Sequence, residues 1–141
     1  MKRPKLLLYL SSLLIAVHFA VHFMGHQSWQ TPKDTNMQNV ITTMVENKTN
    51  YMGAHRSLAD FYHGYSLLLF VVYILSIWIL MVLASSHRRD IKIVKSILFP
   101  LGIAYIAFGV IEFRQFLPLA AGLSALTGLL ILLSLFFLRK Y

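Results

Sequence analysis

Four long apolar runs leave this chain little to fold into except a set of membrane-spanning helices. They cover Leu6 to Met24, about Phe61 to Ala84, about Ser96 to Phe113 and about Phe116 to Leu138. A helix needs about 20 apolar residues, at a rise of about 1.5 Å each, to cross the hydrocarbon of a bilayer. The third run is the shortest, and Lys95 can snorkel to extend it. A soluble domain of 141 residues has no interior large enough for a chain that is 57% hydrophobic, whereas a bilayer solvates such surface directly. The expected fold is therefore an all-α integral membrane protein, an antiparallel four-helix bundle forming one domain over residues 1–141, with an outer segment over about 25–59.

The first run, preceded by Met1-Lys2-Arg3-Pro4-Lys5, also has the layout of a signal peptide. It is read here as a retained first span.

Charge then orients the spans. Lys2, Arg3, Lys5, Arg88, Arg89, Lys92, Lys95, Arg139 and Lys140 fall on one side, with Asp90 as the single acid there. Lys33, Lys48, Arg56 and Arg114 fall on the other, balanced by Asp34, Glu46, Asp60 and Glu112. Positive residues are retained on the cytoplasmic side, where anionic lipid headgroups also favour them. The rule places both termini in the cytoplasm of a bacterium, with the protein in the inner membrane. The formal charge of +8 is thereby explained by topology. Basic residues at the ends of apolar runs do not form a nucleic-acid-binding face, and no nucleic-acid partner is expected. The absence of cysteine excludes a disulfide, a thiolate zinc site, a CxxC redox pair and a cysteine nucleophile.

The outer segment carries its own signals. Thr31 is positioned to cap a helix with Pro32 at its first position and Asp34 in its first turn. Met37, Val40, Ile41, Met44 and Val45 follow helical spacing, which predicts a short amphipathic helix packed as a lid or lying in the interface. Gly25 and Gly53, where spans meet this segment, are expected to need special backbone angles. Ala120, Ser124 and Gly128 on span four, with Gly102 and Gly109 on span three, read as small residues for close helix packing.

Polar residues concentrate at the outer ends. His18, His22 and His26 follow one another at four-residue steps, and His55, Arg56, Asp60 and His63 cluster where span two begins. Arg56 and Asp60 are four apart, a spacing that supports an ion pair on a helix. Glu112 and Arg114 close span three. Ionisable groups near hydrocarbon are costly and mark a functional site by default; the alternative is a hydrogen-bond network that braces the bundle. His18 alone reads as a histidine bonded to a neighbouring helix.

For a site, Asp60, His26 and Glu112 are the candidate acid/base residues. His22, His55, Arg56, His63, Arg114 and Trp29 are the candidate ligand-binding ones. His22 and His26 form an HxxxH pair that could join a metal shell, and histidines facing each other from two spans could hold haem. Trp29, Tyr51, Tyr62 and Tyr65 also fit an ordinary aromatic belt.

His22-Phe23-Met24-Gly25-His26, Trp29, Met52-Gly53 and Arg56-Ser57-Leu58-Ala59-Asp60-Phe61-Tyr62-His63-Gly64-Tyr65 together resemble a functionally uncharacterised family of small four-span bacterial membrane proteins. Its pattern is HxxGHxxW followed by MGxxRSxxDFYxG, matched over about residues 18–85. The resemblance implies the four-span architecture and assigns no activity, ligand or catalytic residue. His63 falls at a position the pattern does not fix. The expected function is binding of, or action on, a small or lipidic ligand at the outer polar site. A non-enzymatic accessory subunit of a membrane complex, a homo-oligomer, and a metal or haem protein stand as alternatives, and the residues do not decide whether the protein is an enzyme.

Overall fold

The computed structural model describes residues 2–85 and 90–138. Arg88, Arg89, Arg139 and Lys140 of the charge argument lie outside the described residues. The element order is α1 (Lys2–Ser28), α2 (Thr35–Glu46), β1 (Lys48–Tyr51), β2 (Ala54–Ser57), α3 (Leu58–Ser85), α4 (Ile91–Gln115) and α5 (Pro118–Phe136).

Helices α1, α3, α4 and α5 are each long and apolar enough to cross a membrane. Three of them outrun the apolar stretches that announce them, because the helical backbone satisfies itself beyond the hydrocarbon-length core. The fourth is shorter. Leu117 and Pro118 set its start, with the proline at a first-turn position where its missing N–H costs nothing. Asp90, the single acid of the basic connection, is the N-cap of α4: its Oδ1 accepts from the Lys92 N–H at 2.8 Å.

Two compact units make up the chain, Met1–His18 with Tyr73–Tyr141, and Phe19–Val72. In the first, Leu8, Ile15, Tyr73, Leu80, Leu98, Tyr105 and Ile131 are buried. Helices α4 and α5 run antiparallel in close contact. The Gly102 backbone faces Ile131 and Leu132, whereas Gly109 faces Ala121 and Ala125. Buried serines in this unit bond back to their own helices, Ser11 to the Leu7 carbonyl at 2.9 Å and Ser12 to that of Leu8 at 3.0 Å.

The second unit holds the end of α1, the start of α3 and everything between. Asp34 caps α2, its Oδ1 accepting from the Met37 N–H at 2.8 Å. The helix therefore starts later than the expected Thr31 cap with Pro32 at its first position; an aspartate that reaches the N3 amide outcompetes an upstream threonine. Of the apolar stripe only Ile41 is buried, while Met37, Val40 and Val45 are exposed.

An antiparallel hairpin follows, pairing Lys48 with Ser57 and Tyr51 with Ala54. The all-α expectation missed it. Its turn is Met52-Gly53, with φ of 49° and 88°, the two positive values a type I′ turn demands. Methionine is a poor residue for the first of these, so the usual Asn-Gly signal is absent.

Gly53 thus has the unusual angle expected of it, but Gly25 does not. Gly25 sits inside α1, and a Cβ there meets nothing within 4 Å. Gly53→Val should destabilise by about 1–2 kcal/mol, the cost of a left-handed residue with a side chain. Gly25→Ala should stabilise by about 0.5–1 kcal/mol. Thermal unfolding of the two variants side by side checks both signs.

Candidate functional site

Helix periodicity decides which polar residues can meet. On α3, His63, Ser66, Phe70 and Tyr73 recur at steps of three and four and share a face. On α1, His18, His22 and His26 do the same.

Within Phe19–Val72, the Ser66 hydroxyl sits between two imidazoles. His26 Nδ1 is 2.8 Å from it and His22 Nε2 is 3.0 Å. A hydroxyl carries one proton and two lone pairs, so Ser66 donates to at most one ring and at least one ring donates its N–H to the serine oxygen. The proton positions of the two histidines are thereby linked through one hydroxyl. Phe70 lies edge-on to both rings, at 5.4 Å from His22 and 5.1 Å from His26. His63 packs against His26 with ring centres 4.6 Å apart, and Trp29 meets Tyr62 at 4.7 Å. Ser66→Ala removes a partner from both imidazoles and should cost about 1–3 kcal/mol, read as a lowered melting temperature in detergent.

The two histidines of the HxxxH spacing are bridged by a serine. Among the described residues, no three His, Asp or Glu side chains are grouped as a metal site requires.

A second cluster lies within Met1–His18 and Tyr73–Tyr141. His18 Nε2 is 3.4 Å from Glu112 Oε1 and 3.2 Å from the Tyr73 hydroxyl, and His18 Nδ1 is 3.3 Å from the Ser124 hydroxyl. Each of the four long helices contributes one of these residues. His18, Tyr73 and Ser124 are buried. The Tyr105 hydroxyl and Glu112 Oε2 are also enclosed without a well-formed hydrogen bond, with Ser76 near Tyr105 and Ser124 near Glu112. His18 does bond neighbouring helices, as the sequence suggested. Ser124, expected only to pack, is part of this network. Arg114 is two residues beyond Glu112, so it projects from a different side of α4, where it is exposed.

Asp60 has a local role. Its Oδ2 accepts from the Ser57 N–H at 2.9 Å, and Ser57 Oγ accepts from the Asp60 N–H at 3.1 Å. This is a capping box with aspartate at the third position, and it starts α3. The expected Arg56–Asp60 ion pair does not form: among the described residues, the ion pair within reach is His18–Glu112. Arg56 belongs to β2 and not to the helix, so the four-residue helical rule does not apply to it. Arg56 donates to the His55 carbonyl at 3.2 Å, and His55 Nδ1 meets its cross-strand neighbour Asn50 Oδ1 at 3.2 Å. Arg56 and Asp60 stand on the wall of an open groove of about 300 Å³, lined further by Phe61, Gly64, Tyr65 and Leu68.

Most candidate residues thus sort into three groups: His22, His26 and His63 at or beside Ser66; Glu112 with His18; and His55, Arg56 and Asp60 at the hairpin–helix junction; Trp29 packs on Tyr62, and Arg114 joins none of them. Sequence reasoning missed Ser66 and Tyr73. Their spacing from His63 on one helical face was the available signal.

These features define the class, a predominantly helical chain with four helices able to cross a membrane and polar clusters carried on them. Compared with family models, curated proteins and solved structures, the chain matches none.

Proposed function

We propose that this is an integral protein of the bacterial cytoplasmic membrane that crosses the bilayer four times and binds a lipidic ligand at its periplasmic side. Both termini are cytoplasmic in this reading. The Lys/Arg asymmetry supports that orientation, and the family resemblance in residues 18–85 implies the same four spans. The observation that carries the ligand assignment is the groove on α3. Its charged end, Arg56 and Asp60, lies at the start of the span, and its apolar end reaches Leu68, about 12 Å farther along the helix axis. An amphipathic molecule aligned with the bilayer normal meets polar and apolar surface in that order.

Gly64 allows a direct test. A Cβ at Gly64 meets nothing within 4 Å, so a leucine side chain can leave the backbone there unobstructed and enter the groove that Gly64 lines. Native mass spectrometry of protein in mild detergent should show phospholipid retained by the wild type and lost from folded Gly64→Leu. Equal retention by both would refute the groove as a lipid site.

The orientation has its own test, free of background because the chain lacks cysteine. Thr49→Cys, on β1, should react with a membrane-impermeant maleimide in intact cells from which only the outer membrane has been permeabilised. Labelling that appears only after the inner membrane is opened would reverse the topology.

A further inference from the structure

The groove carries two opposite charges that do not join in a close ion pair, although Lys48 and Arg56 both lie within electrostatic reach of the Asp60 carboxylate. Arg56 and Asp60 share its wall, yet no ion pair joins them. Each has bonding capacity to spare. One guanidinium nitrogen of Arg56 is engaged by a backbone carbonyl, and a guanidinium offers five N–H donors in all. Asp60 uses Oδ2 for the cap, and its second oxygen can accept from a ligand. Both side chains are exposed.

A cation and an anion that share a groove wall above an apolar track without a close ion pair are complementary to a ligand whose own two charges are separated in the headgroup. We propose that the groove selects a zwitterionic phospholipid bearing a primary ammonium. Its phosphate is held by the Arg56 guanidinium, in the fork geometry that suits phosphate oxygens. Its ammonium donates to the Asp60 carboxylate, and the start of one acyl chain lies along Phe61, Gly64, Tyr65 and Leu68. A singly anionic headgroup satisfies Arg56 and leaves Asp60 facing a like-charged molecule. A quaternary ammonium satisfies the charge of Asp60 but has no N–H to donate to it. The inference rests on the lipid-site reading above and adds the headgroup class.

The test is competition, on delipidated full-length protein, among phosphatidylethanolamine, phosphatidylcholine and phosphatidylglycerol of identical acyl chains, with bound lipid read by native mass spectrometry. Wild type should prefer phosphatidylethanolamine over each of the others by about tenfold, the scale of one charge-assisted hydrogen bond. Asp60→Asn keeps a cap-competent side-chain oxygen and removes the charge, so it should erase the preference over phosphatidylglycerol while binding persists. Arg56→Gln should weaken all three lipids alike. Gly64→Leu should abolish binding of all three. If wild type binds phosphatidylglycerol as well as phosphatidylethanolamine and Gly64→Leu still abolishes both, the headgroup assignment is overturned and the lipid site stands. If Gly64→Leu binds like wild type, both fall.

Discussion

Replacing His18 with leucine should lower the stability of the folded protein by about 3–5 kcal/mol, the scale seen when one partner of a buried pair is removed. The reason lies in what remains. Glu112 Oε1 faces His18 at 3.4 Å, and Glu112 Oε2 is already enclosed without a well-formed hydrogen bond. The leucine variant strands the carboxyl and takes a partner from both the Tyr73 and Ser124 hydroxyls. In a low-dielectric interior such groups find no water to replace the lost contact. Glu112→Leu should be similarly costly. The double variant should recover the part of the loss due to the stranded carboxyl, because two apolar side chains leave neither charge nor orphan carboxyl, while the Tyr73 and Ser124 hydroxyls still lack the imidazole. A double-mutant cycle on reversible unfolding in mixed micelles gives the coupling directly. Additive single effects would show that His18 and Glu112 do not act as a pair.

Gly128→Val should be the other severe change, at about 3 kcal/mol or more, at or beyond the upper end of what overpacking usually costs. A Cβ at Gly128 would lie 2.7 Å from the Gly102 carbonyl oxygen and 2.8 Å from the Ile106 amide nitrogen. Both are backbone atoms, so no rotamer change relieves the clash and α4 must move off α5. Gly102→Ala is the informative comparison. Its Cβ would meet Leu132 side-chain atoms at 2.7 and 2.8 Å, and a leucine terminus can turn aside, so the expected cost is smaller. Gly122 supplies the control, since its Cβ has open space. Gly122→Ala should be stabilising by about 0.5–1 kcal/mol from helix propensity alone. Melting temperatures in the order Gly122→Ala, wild type, Gly102→Ala, Gly128→Val check the argument. A tolerated Gly128→Val would mean that α4 and α5 do not need to approach so closely.

Close approach of this kind connects the small-residue stripe to the polar cluster. Gly109 meets Ala121 and Ala125, which straddle Ser124. The same contact that brings α4 against α5 sets Ser124 and Glu112 around His18. Packing without chemistry and chemistry without packing are therefore not separable here. Helix separation at Gly128 should disturb the buried histidine as well, visible as a shifted imidazole resonance in the Gly128→Val variant.

Much of this protein was readable before any coordinate. Hydrophobic run length announced the four long helices, because crossing hydrocarbon sets a minimum length and forbids charge within it. Period-3.6 spacing announced α2, and the glycines of α4 announced its tight face. The hairpin was not readable. Its strands are four residues each, too short for alternation to stand out, and its turn is held by Met52 and Gly53 instead of Asn-Gly. The partners of the histidines were not readable either. Ser66, Tyr73 and Ser124 lie inside apolar runs, where a hydroxyl that bonds its own backbone and one that serves another helix look alike. Ser11 and Ser12 took the first course, and Ser66 and Ser124 the second. Only the tertiary fold distinguishes them, because a hydrogen bond between residues 44 or 106 positions apart depends on which helix faces which. The sequence by itself determined which segments form helices long and apolar enough to cross a membrane, since that is a property of each segment alone. Which buried polar atoms satisfy one another is a property of pairs of segments, and their packing decided it.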